Sequence, residues 1–236
     1  VDGQGVSASL LKGRTVGRGD IAHDFTTTEM SREDPGLPKL HPHRLFAAAA
    51  RSGEGRFAID IFSGSGHFSR EWRKTQGLQH IPIVEIDIRH HPSHDMTQGW
   101  LLRKIRGLVR SGVVAAKWIG TPCNSWSTAR RAHSCGPPPL RSAEHIMGMP
   151  NLSATDQAKV DVGNLLMEVS ASLFESCLAH RVPCALENPH SSRLWQAARI
   201  RDLLSSASVR SGYLDFCQFQ CPWRKRTRLM YINVDL

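Results

Sequence analysis

The sequence predicts an α/β fold with a mostly parallel sheet that ends in an antiparallel hairpin. Apolar runs of strand length occur at 56–62, 81–88, 113–119 and 182–186. Segments with helical spacing of apolar residues lie between several of these runs, and such alternation is typical of parallel strands joined by right-handed crossovers. The last segment, 213–235, has two apolar stretches around a cationic turn, which indicates a hairpin.

The length suits one domain with an appendage, because two separate cores would be cramped in 236 residues. Residues 1–40 carry many Gly, Ser, Thr, Asp and Pro residues without periodicity, and the alanine-rich stretch 43–51 predicts a short helix. We therefore predict an N-terminal extension over 1–50, with a helix that packs on the main domain, and we place that domain at 51–236.

The charge balance indicates a polyanionic partner. The formal charge is +9, from 30 Lys and Arg residues against 21 Asp and Glu residues. An excess of cations raises the local concentration of polyanions, so nucleic acid is the expected partner, and a solvated basic surface is the alternative. No apolar run approaches the roughly 20 residues that span a bilayer, so no membrane partner is expected.

The six cysteines are typical of reduced intracellular thiols in a chain of this length. Cys217 and Cys221 have the spacing of half a zinc site, but no second half with ligand spacing follows. We therefore expect no metal.

A glycine-rich turn follows the first apolar run, at Phe62-Ser-Gly-Ser-Gly66. Glycines let backbone N–H groups approach a ligand closely, although a plain turn explains the same pattern. The second run contains Glu85, and an acid at that place in a nucleotide-binding sheet accepts hydrogen bonds from ribose hydroxyls. Asp95 adds another acceptor after the next loop. Together these residues predict a nucleoside cofactor, with helix caps as the alternative role of the acids.

A cysteine and a glutamate end two further runs. Cys123 follows Pro122 on a stiff turn, and the polar and cationic stretch after it, with Ser127, Arg130 and Arg131, favours a reactive thiolate. A small buried hydrophobe is the alternative for this cysteine. The sequence Glu187-Asn-Pro189 places a carboxylate at the end of another strand, where a helix cap is the alternative role.

These motifs, in this order, resemble those of the cytosine-C5 DNA methyltransferase family over residues 57–232. The resemblance implies a Rossmann-like class I methyltransferase fold with S-adenosylmethionine as the cofactor. The 62–66 turn matches the Phe-x-Gly-x-Gly motif, Glu85 matches the acid that holds the ribose, and Asp95 matches the acid that recognises the adenine amino group. The cofactor-binding residues implied are Phe62, Ser63, Gly64, Gly66, Glu85, Ile86, Asp95, Met96 and Pro122.

The resemblance also implies the chemistry. Pro122-Cys123 matches the Pro-Cys motif and Glu187-Asn188 matches the Glu-Asn of the Glu-Asn-Val motif, with Pro189 in place of valine. Cys123 is then the nucleophile that adds to C6 of cytosine, and Glu187 binds N3 and the amino group. Such enzymes flip the target base out of the duplex.

The remaining motifs supply contacts to the substrate. The segment 133–149, rich in Pro and Gly, predicts a mobile loop with the role of a lid. The implied substrate-binding residues are Ser127, Arg130, Arg131 and Asn188. The family's Gln-x-Arg-x-Arg signature corresponds to Arg224-x-Arg226-x-Arg228, in which Arg224 replaces the glutamine, and this makes Arg226 and Arg228 candidate catalytic residues.

The sequence departs from the family beyond 229–234, where a target-recognition domain and a last helix would follow. The expectation is that 43–51 supplies this helix in permuted order, or that recognition comes from a partner or another part of a longer polypeptide. DNA is the expected substrate, with RNA cytosine methylation of the transfer-RNA type and a silent regulatory module as alternatives. The expected location is the nucleus in a eukaryote and otherwise the cytoplasm.

Overall fold

The computed structural model of the protein describes residues 40–52, 54–129, 137–219 and 224–234. The candidate residues Arg130 and Arg131, most of the predicted extension and Cys221 lie outside these ranges. No helix within the described ranges is long and apolar enough to cross a membrane.

Six strands form one sheet in the order β2-β1-β3-β4-β6-β5. The first four in this order run parallel, while β6 is antiparallel to both β4 and β5. This confirms the predicted Rossmann-like α/β fold, with a mostly parallel sheet and a terminal antiparallel hairpin. The strands are β1 Phe57–Ile61, β2 Ile83–Ile86, β3 Val114–Gly120, β4 Cys184–Pro189, β5 Arg210–Asp215 and β6 Arg226–Ile232.

Helices cover both faces of the sheet. Successive side chains of a strand point to opposite faces, and the strands carry apolar residues on both faces. Ile59 and Ile61 of β1 enter a large core with α1, α3 and α4, whereas Ala58 enters a smaller core with Trp72 of α2. The helices are α1 Pro42–Ser52, α2 His67–Lys74, α3 Gly99–Arg110, α4 Ala154–Ala179 and α5 Ala198–Leu204. Short 3-10 helices cover Pro92–His94, Arg193–Gln196 and Phe216–Phe219.

The predicted N-terminal helix forms as α1 and packs on the main domain. Leu45, Phe46 and Ala49 are buried in the large core, and the ring of Phe46 stacks on Phe57 at 5.9 Å. The burial of this apolar face ties α1 to the sheet beside β2, so the part of the predicted extension that the structure describes belongs to the core of the domain.

The topology gathers the candidate residues at one edge of the sheet. Strands β1, β2, β3 and β4 are parallel, so the turns that follow them all lie at their carboxyl ends. The strand order reverses between β1 and β3, and in open α/β sheets ligands bind in the crevice at such a point.

Candidate active site at the carboxyl ends of the strands

The turn after β1 has the geometry of a close-approach loop. Phe62, Gly64 and Gly66 have φ angles of 59°, 60° and 68°, which is the left-handed region. The Phe62 N–H donates to the carbonyl of Ile86 at 2.8 Å and the Gly66 N–H to the carbonyl of Ser63 at 2.9 Å. A Cβ on Gly66 would lie 3.0 Å from a carboxylate oxygen of Glu85. The turn therefore requires glycine there and lies directly against the acid of β2.

Three carboxylates surround this turn. Asp87 accepts from the Gly64 N–H at 2.8 Å, and Glu85 accepts from Arg73 at 2.6 Å. Asp60 of β1 pairs in register with Glu85 and is 1% exposed. Burial raises the pKa of Asp60 to about 7, against a lowering by its hydrogen bond from Ser69. Asp87 lies at the end of the second predicted strand run, whereas Asp60, which accepts from Ser69 of α2, is the acid of this group that sequence reasoning missed.

Asp95 lies on the loop after β2 as an ordered acceptor. Burial raises its pKa, but hydrogen bonds from the backbone and side chain of Thr97 and from Gln98 outweigh this and lower it below its usual value. Ile86 and Met96 are 0% and 3% exposed and pack in the large core. The Ile86 carbonyl accepts from the Phe62 N–H of the turn, while both side chains point into the core.

Cys123 and Glu187 share a site with Lys225. The Glu187 carboxylate accepts from the Lys225 ammonium at 3.3 Å and from the Thr227 hydroxyl at 3.3 Å. Burial raises the pKa of the Cys123 thiol, the positive charge of Lys225 lowers it, and the Glu187 charge raises it. Together these effects hold the pKa of the Cys123 thiol above its ordinary value. Lys225 is thus the cation that favours the thiolate.

Lys225 and Thr227 were missed by sequence reasoning, although both lie in the cationic run that carries the Arg-x-Arg signature. The signal that could have found them is strand alternation. Adjacent residues of a strand project from opposite faces, so Thr227 cannot share a face with its two arginine neighbours.

The sheet register separates Arg226 and Arg228 from the glutamate. Glu187 faces Leu229 and Asn188 faces Arg228 across β4 and β6, so Glu187 and Arg228 project from opposite faces. The Arg228 guanidinium lies 5.0 Å from the ring centre of Trp195, and that of Arg226 lies 5.4 Å from the ring centre of Tyr213. The structure therefore brings Cys123, Glu187 and Lys225 together without the two arginines, whose catalytic role stays a prediction.

Asn188 and Thr121 fix the turn that carries Pro122 and Cys123. The Asn188 amide donates to the Thr121 carbonyl at 2.6 Å, and the Thr121 and Ser170 hydroxyls are hydrogen-bonded at 2.9 Å. Asn188 is fully buried, so its place in this structure is that of a tie between strand ends. Ser127, predicted to contact substrate, accepts from the Ala129 N–H at 3.2 Å on the loop beyond the cysteine.

A buried arginine anchors the loop after the cysteine. Arg141 donates to the Ser125 carbonyl at 3.1 Å and to its hydroxyl at 2.9 Å, and its guanidinium lies 3.4 Å from the ring centre of Trp126. Burial lowers the pKa of Arg141 to about 10. The indole of Trp126 donates to the carbonyl of Gly163 in α4 at 3.2 Å.

This anchor differs from the mobile lid predicted over 133–149. The described part of that segment, 137–149, is tied to α4 through Arg141, which also donates to Asn164 at 2.7 Å. The spacing of Pro and Gly indicated a loop correctly, but it carried no sign that a buried arginine would hold the loop in place. Within the described ranges, no group of three or more His, Cys, Asp or Glu side chains has the geometry of a metal site.

Comparisons with known proteins yield little. No family model matches the chain, and no curated protein matches it. A solved structure of the methyltransferase EhMeth from Entamoeba histolytica is similar at 12% identity and a TM-score of 0.43, over 76% of this chain. The chain spans about half, 53%, of that protein's length. A likeness at this level supports no inference about activity, which has to rest on the residues of the site itself.

Proposed function

We propose that the protein transfers a methyl group from S-adenosylmethionine to C5 of cytosine in DNA through a covalent intermediate on Cys123. One observation carries the proposal. The charges of Glu187 and Lys225 act on the Cys123 thiol, at the same sheet edge as a glycine turn bordered by acids. A cysteine thiol beside a cation and a carboxylate, at the same sheet edge as the predicted nucleoside pocket, suits nucleophilic catalysis on a base.

The cofactor residues fit the group proposed. A Cβ at Gly66 would enter the space beside Glu85, so the glycine keeps open a cradle that a ribose can enter. Glu85 is held by Arg73 in the free protein, and its second oxygen remains available to hydroxyl groups. Asp95 supplies a further acceptor for an amino group. When bound, S-adenosylmethionine would supply an activated methyl group.

The chain's own residues perform the chemistry on the base. The Cys123 thiolate adds to C6, so that an S–C6 bond forms and the electrons of the C5–C6 double bond make C5 nucleophilic. Glu187 holds N3 and the amino group, which keeps the ring aligned. Once C5 carries the methyl group, a water molecule takes the C5 proton, the C5–C6 double bond forms again, and the S–C6 bond breaks with its electron pair returning to Cys123. The ring regains its aromatic character.

Lys225 has a place in this cycle as the counter-charge of the thiolate. Its ammonium contacts Glu187 in the free protein and favours the ionised thiol. A thiolate is needed both before addition to C6 and after expulsion, so a nearby cation stabilises both states. The excess of cations, with a formal charge of +9, supports a nucleic-acid substrate.

The proposal is tested with an oligonucleotide that contains 5-fluorocytosine, offered both as a duplex and as a single strand. Fluorine at C5 cannot leave as a proton does, so the covalent adduct accumulates. With cofactor present, we expect an adduct of protein and DNA that resists denaturation and is lost in Cys123→Ser. Cys217→Ser, which removes an exposed thiol elsewhere, is the matched control and should retain the adduct.

Two other outcomes would change the proposal. An adduct on RNA and not on DNA would keep the mechanism and replace the substrate by RNA. Cofactor binding without an adduct on either nucleic acid would contradict the enzyme and favour a silent regulatory module. Repeating the experiment with added cell extract of the host would show whether target choice comes from another polypeptide.

A further inference from the structure

The outer end of the sheet, on the face opposite Glu187, carries a surface of arginines and aromatic rings. We call it the arginine–aromatic surface and define it by His190, Trp195, Tyr213, Arg226 and Arg228. Tyr213 of β5 is 51% exposed and receives the guanidinium groups of Arg226 at 5.4 Å and Arg228 at 5.8 Å from its ring centre. The ring of His190 contacts Tyr213 edge-on at 4.9 Å.

Arg228 is only partly satisfied on this surface. Its guanidinium stacks on Trp195 and donates to the Ser211 hydroxyl at 3.4 Å. Its buried Nε has no hydrogen-bond partner among the atoms that the structure describes. A buried donor without a partner is costly, and a bound acceptor would remove that cost.

An open depression of about 720 Å³ lies beside Arg228. Its lining includes Ile146, Trp195, Gln196, Arg201 and Ser205, and no carboxylate of the described residues belongs to it. The acid of the neighbouring strand, Asp215, lies opposite Arg226 in the register of β5 and β6 and contacts Arg224 at 3.8 Å, outside this depression. The cations that line the depression, Arg201 and Arg228, are therefore not neutralised by a carboxylate of the described lining. This arrangement suits an anionic ligand.

Cations next to an exposed ring are the chemistry of single-strand binding. Arginines hold the phosphates while bases stack on the aromatic faces, and an aromatic face is sequence-tolerant. A duplex hides both faces of each base, so Tyr213 is useful only to an unpaired strand. Trp195 is 6% exposed and its indole donates to the Pro189 carbonyl at 2.9 Å, which leaves Tyr213 as the stacking ring.

The surface lies next to the candidate active site. β4 ends at Pro189 where β6 begins at Arg226, and these two regions pair with each other. A nucleic-acid strand that crosses the sheet edge formed by the end of β4 and the start of β6 would pass from the arginine–aromatic surface to Glu187 on the other face.

We propose that the arginine–aromatic surface binds an unpaired DNA strand beside the target cytosine. The inference rests on the proposed function for the identity of the strand as DNA, and it adds that the nucleotides flanking the target are bound unpaired. Arg226 and Arg228 contact phosphates, and Tyr213 stacks on one base.

The test is equilibrium binding of labelled oligonucleotides of one sequence as single-stranded DNA, duplex DNA and single-stranded RNA. We expect single-stranded DNA to bind most tightly and Tyr213→Leu to weaken this binding about tenfold, since the variant loses the stacking of one base. Tyr213→Phe keeps the ring and should retain the affinity. Arg226→Ala should weaken binding and reduce its dependence on salt, whereas Arg103→Ala, which removes an exposed cation of α3, should do neither.

Several results would overturn the inference. Equal binding of duplex and single strand, unchanged binding in Tyr213→Leu, or tighter binding of RNA than of DNA each contradicts it. Thermal unfolding of each variant identifies any that fails to fold. If Tyr213→Leu fails to fold, the strand affinities of Tyr213→Phe and Arg226→Ala are compared instead. The adduct experiment separates the two proposals. An adduct with no effect of Tyr213→Leu refutes only this surface, and ring-dependent strand binding with no adduct refutes only the enzyme.

Discussion

The two halves of the candidate site are built in different ways. The cofactor half, after β1 and β2, is fixed by backbone conformation, with left-handed glycines and an N–H donated to Asp87 within one contiguous stretch of chain. The cysteine half joins Cys123, Glu187 and Lys225, which lie far apart in sequence and meet through strand pairing. The first half is therefore specified locally, while the second depends on the sheet as a whole.

The largest expected effect concerns the buried acid of the cofactor half. The pKa of Asp60 rises from 3.8 to about 7 on folding, so the folded protein keeps a proton that the unfolded chain releases. Its contribution to the free energy of unfolding is full below about pH 4 and is lost as the pH rises through about 7. Asp60→Asn lacks this loss and should gain roughly 3 kcal/mol relative to the parent between about pH 5 and about pH 8.

Urea unfolding of Asp60→Asn and the parent across this pH range measures the difference. Asp202→Asn, which removes an exposed carboxyl from α5, is the control for the loss of one negative charge. A stability difference that does not change with pH would contradict the raised pKa of Asp60.

The second prediction breaks the cysteine half alone. A Cβ on Gly163 of α4 would overlap the Ser125 hydroxyl and approach Arg141 at 3.0 Å and the Trp126 indole at 3.4 Å. Overpacking of this kind costs roughly 1–3 kcal/mol. Gly163→Ala should therefore displace the loop after Cys123 and reduce the rate of adduct formation about tenfold or more, while cofactor affinity stays unchanged.

Rates of adduct formation and calorimetric titration of the cofactor test this separation. Gly107→Ala in α3, where no atom lies within 4 Å of the added Cβ, is the matched control within a helix. If Gly163→Ala lowers cofactor affinity as much as adduct formation, the two halves are not independent.

The third prediction breaks the cofactor half in the converse way. Gly66→Ala places a Cβ in the left-handed region and 3.0 Å from Glu85, and the backbone conformation alone costs roughly 1–2 kcal/mol. We expect about tenfold or greater loss of cofactor affinity by calorimetry. Gly77 also has a positive φ, of 86°, but no atom lies within 4 Å of an added Cβ, so Gly77→Ala should lose stability without loss of cofactor affinity. Equal losses of affinity in both variants would show a general effect of strain.

The sequence predicts the local features of the site better than the non-local ones. The turn at 62–66 and the strands before Cys123 and around Glu187 follow from runs of a few residues, although β3 ends at Gly120 and β4 continues past Glu187 to Pro189. The partners Lys225 and Arg141 do not follow, since each depends on a contact across elements. Whether Arg226 lies beside Glu187 depends on the register of β4 and β6, which the sequence does not give. In the structure this register places Glu187 opposite Leu229.

The smallest expected effect concerns the charge of Lys225. Lys225→Met removes the cation that lowers the pKa of the Cys123 thiol, so that pKa should rise further and less thiolate should form at neutral pH. Glu187→Gln removes the charge that raises the same pKa and should shift it downward. Each shift of one unit corresponds to about 1.4 kcal/mol, or tenfold in thiolate.

Site-resolved alkylation of Cys123 with iodoacetamide across pH, read by mass spectrometry, measures both directions at once. Lys74→Met, which removes an exposed lysine paired with Glu71 in α2, should leave the profile of Cys123 unchanged. If Lys225→Met and Glu187→Gln moved the profile in the same direction, burial and not charge would govern the thiol. Opposite shifts would show that the cysteine half works through contacts between strands, since both charges reach Cys123 only in the folded sheet.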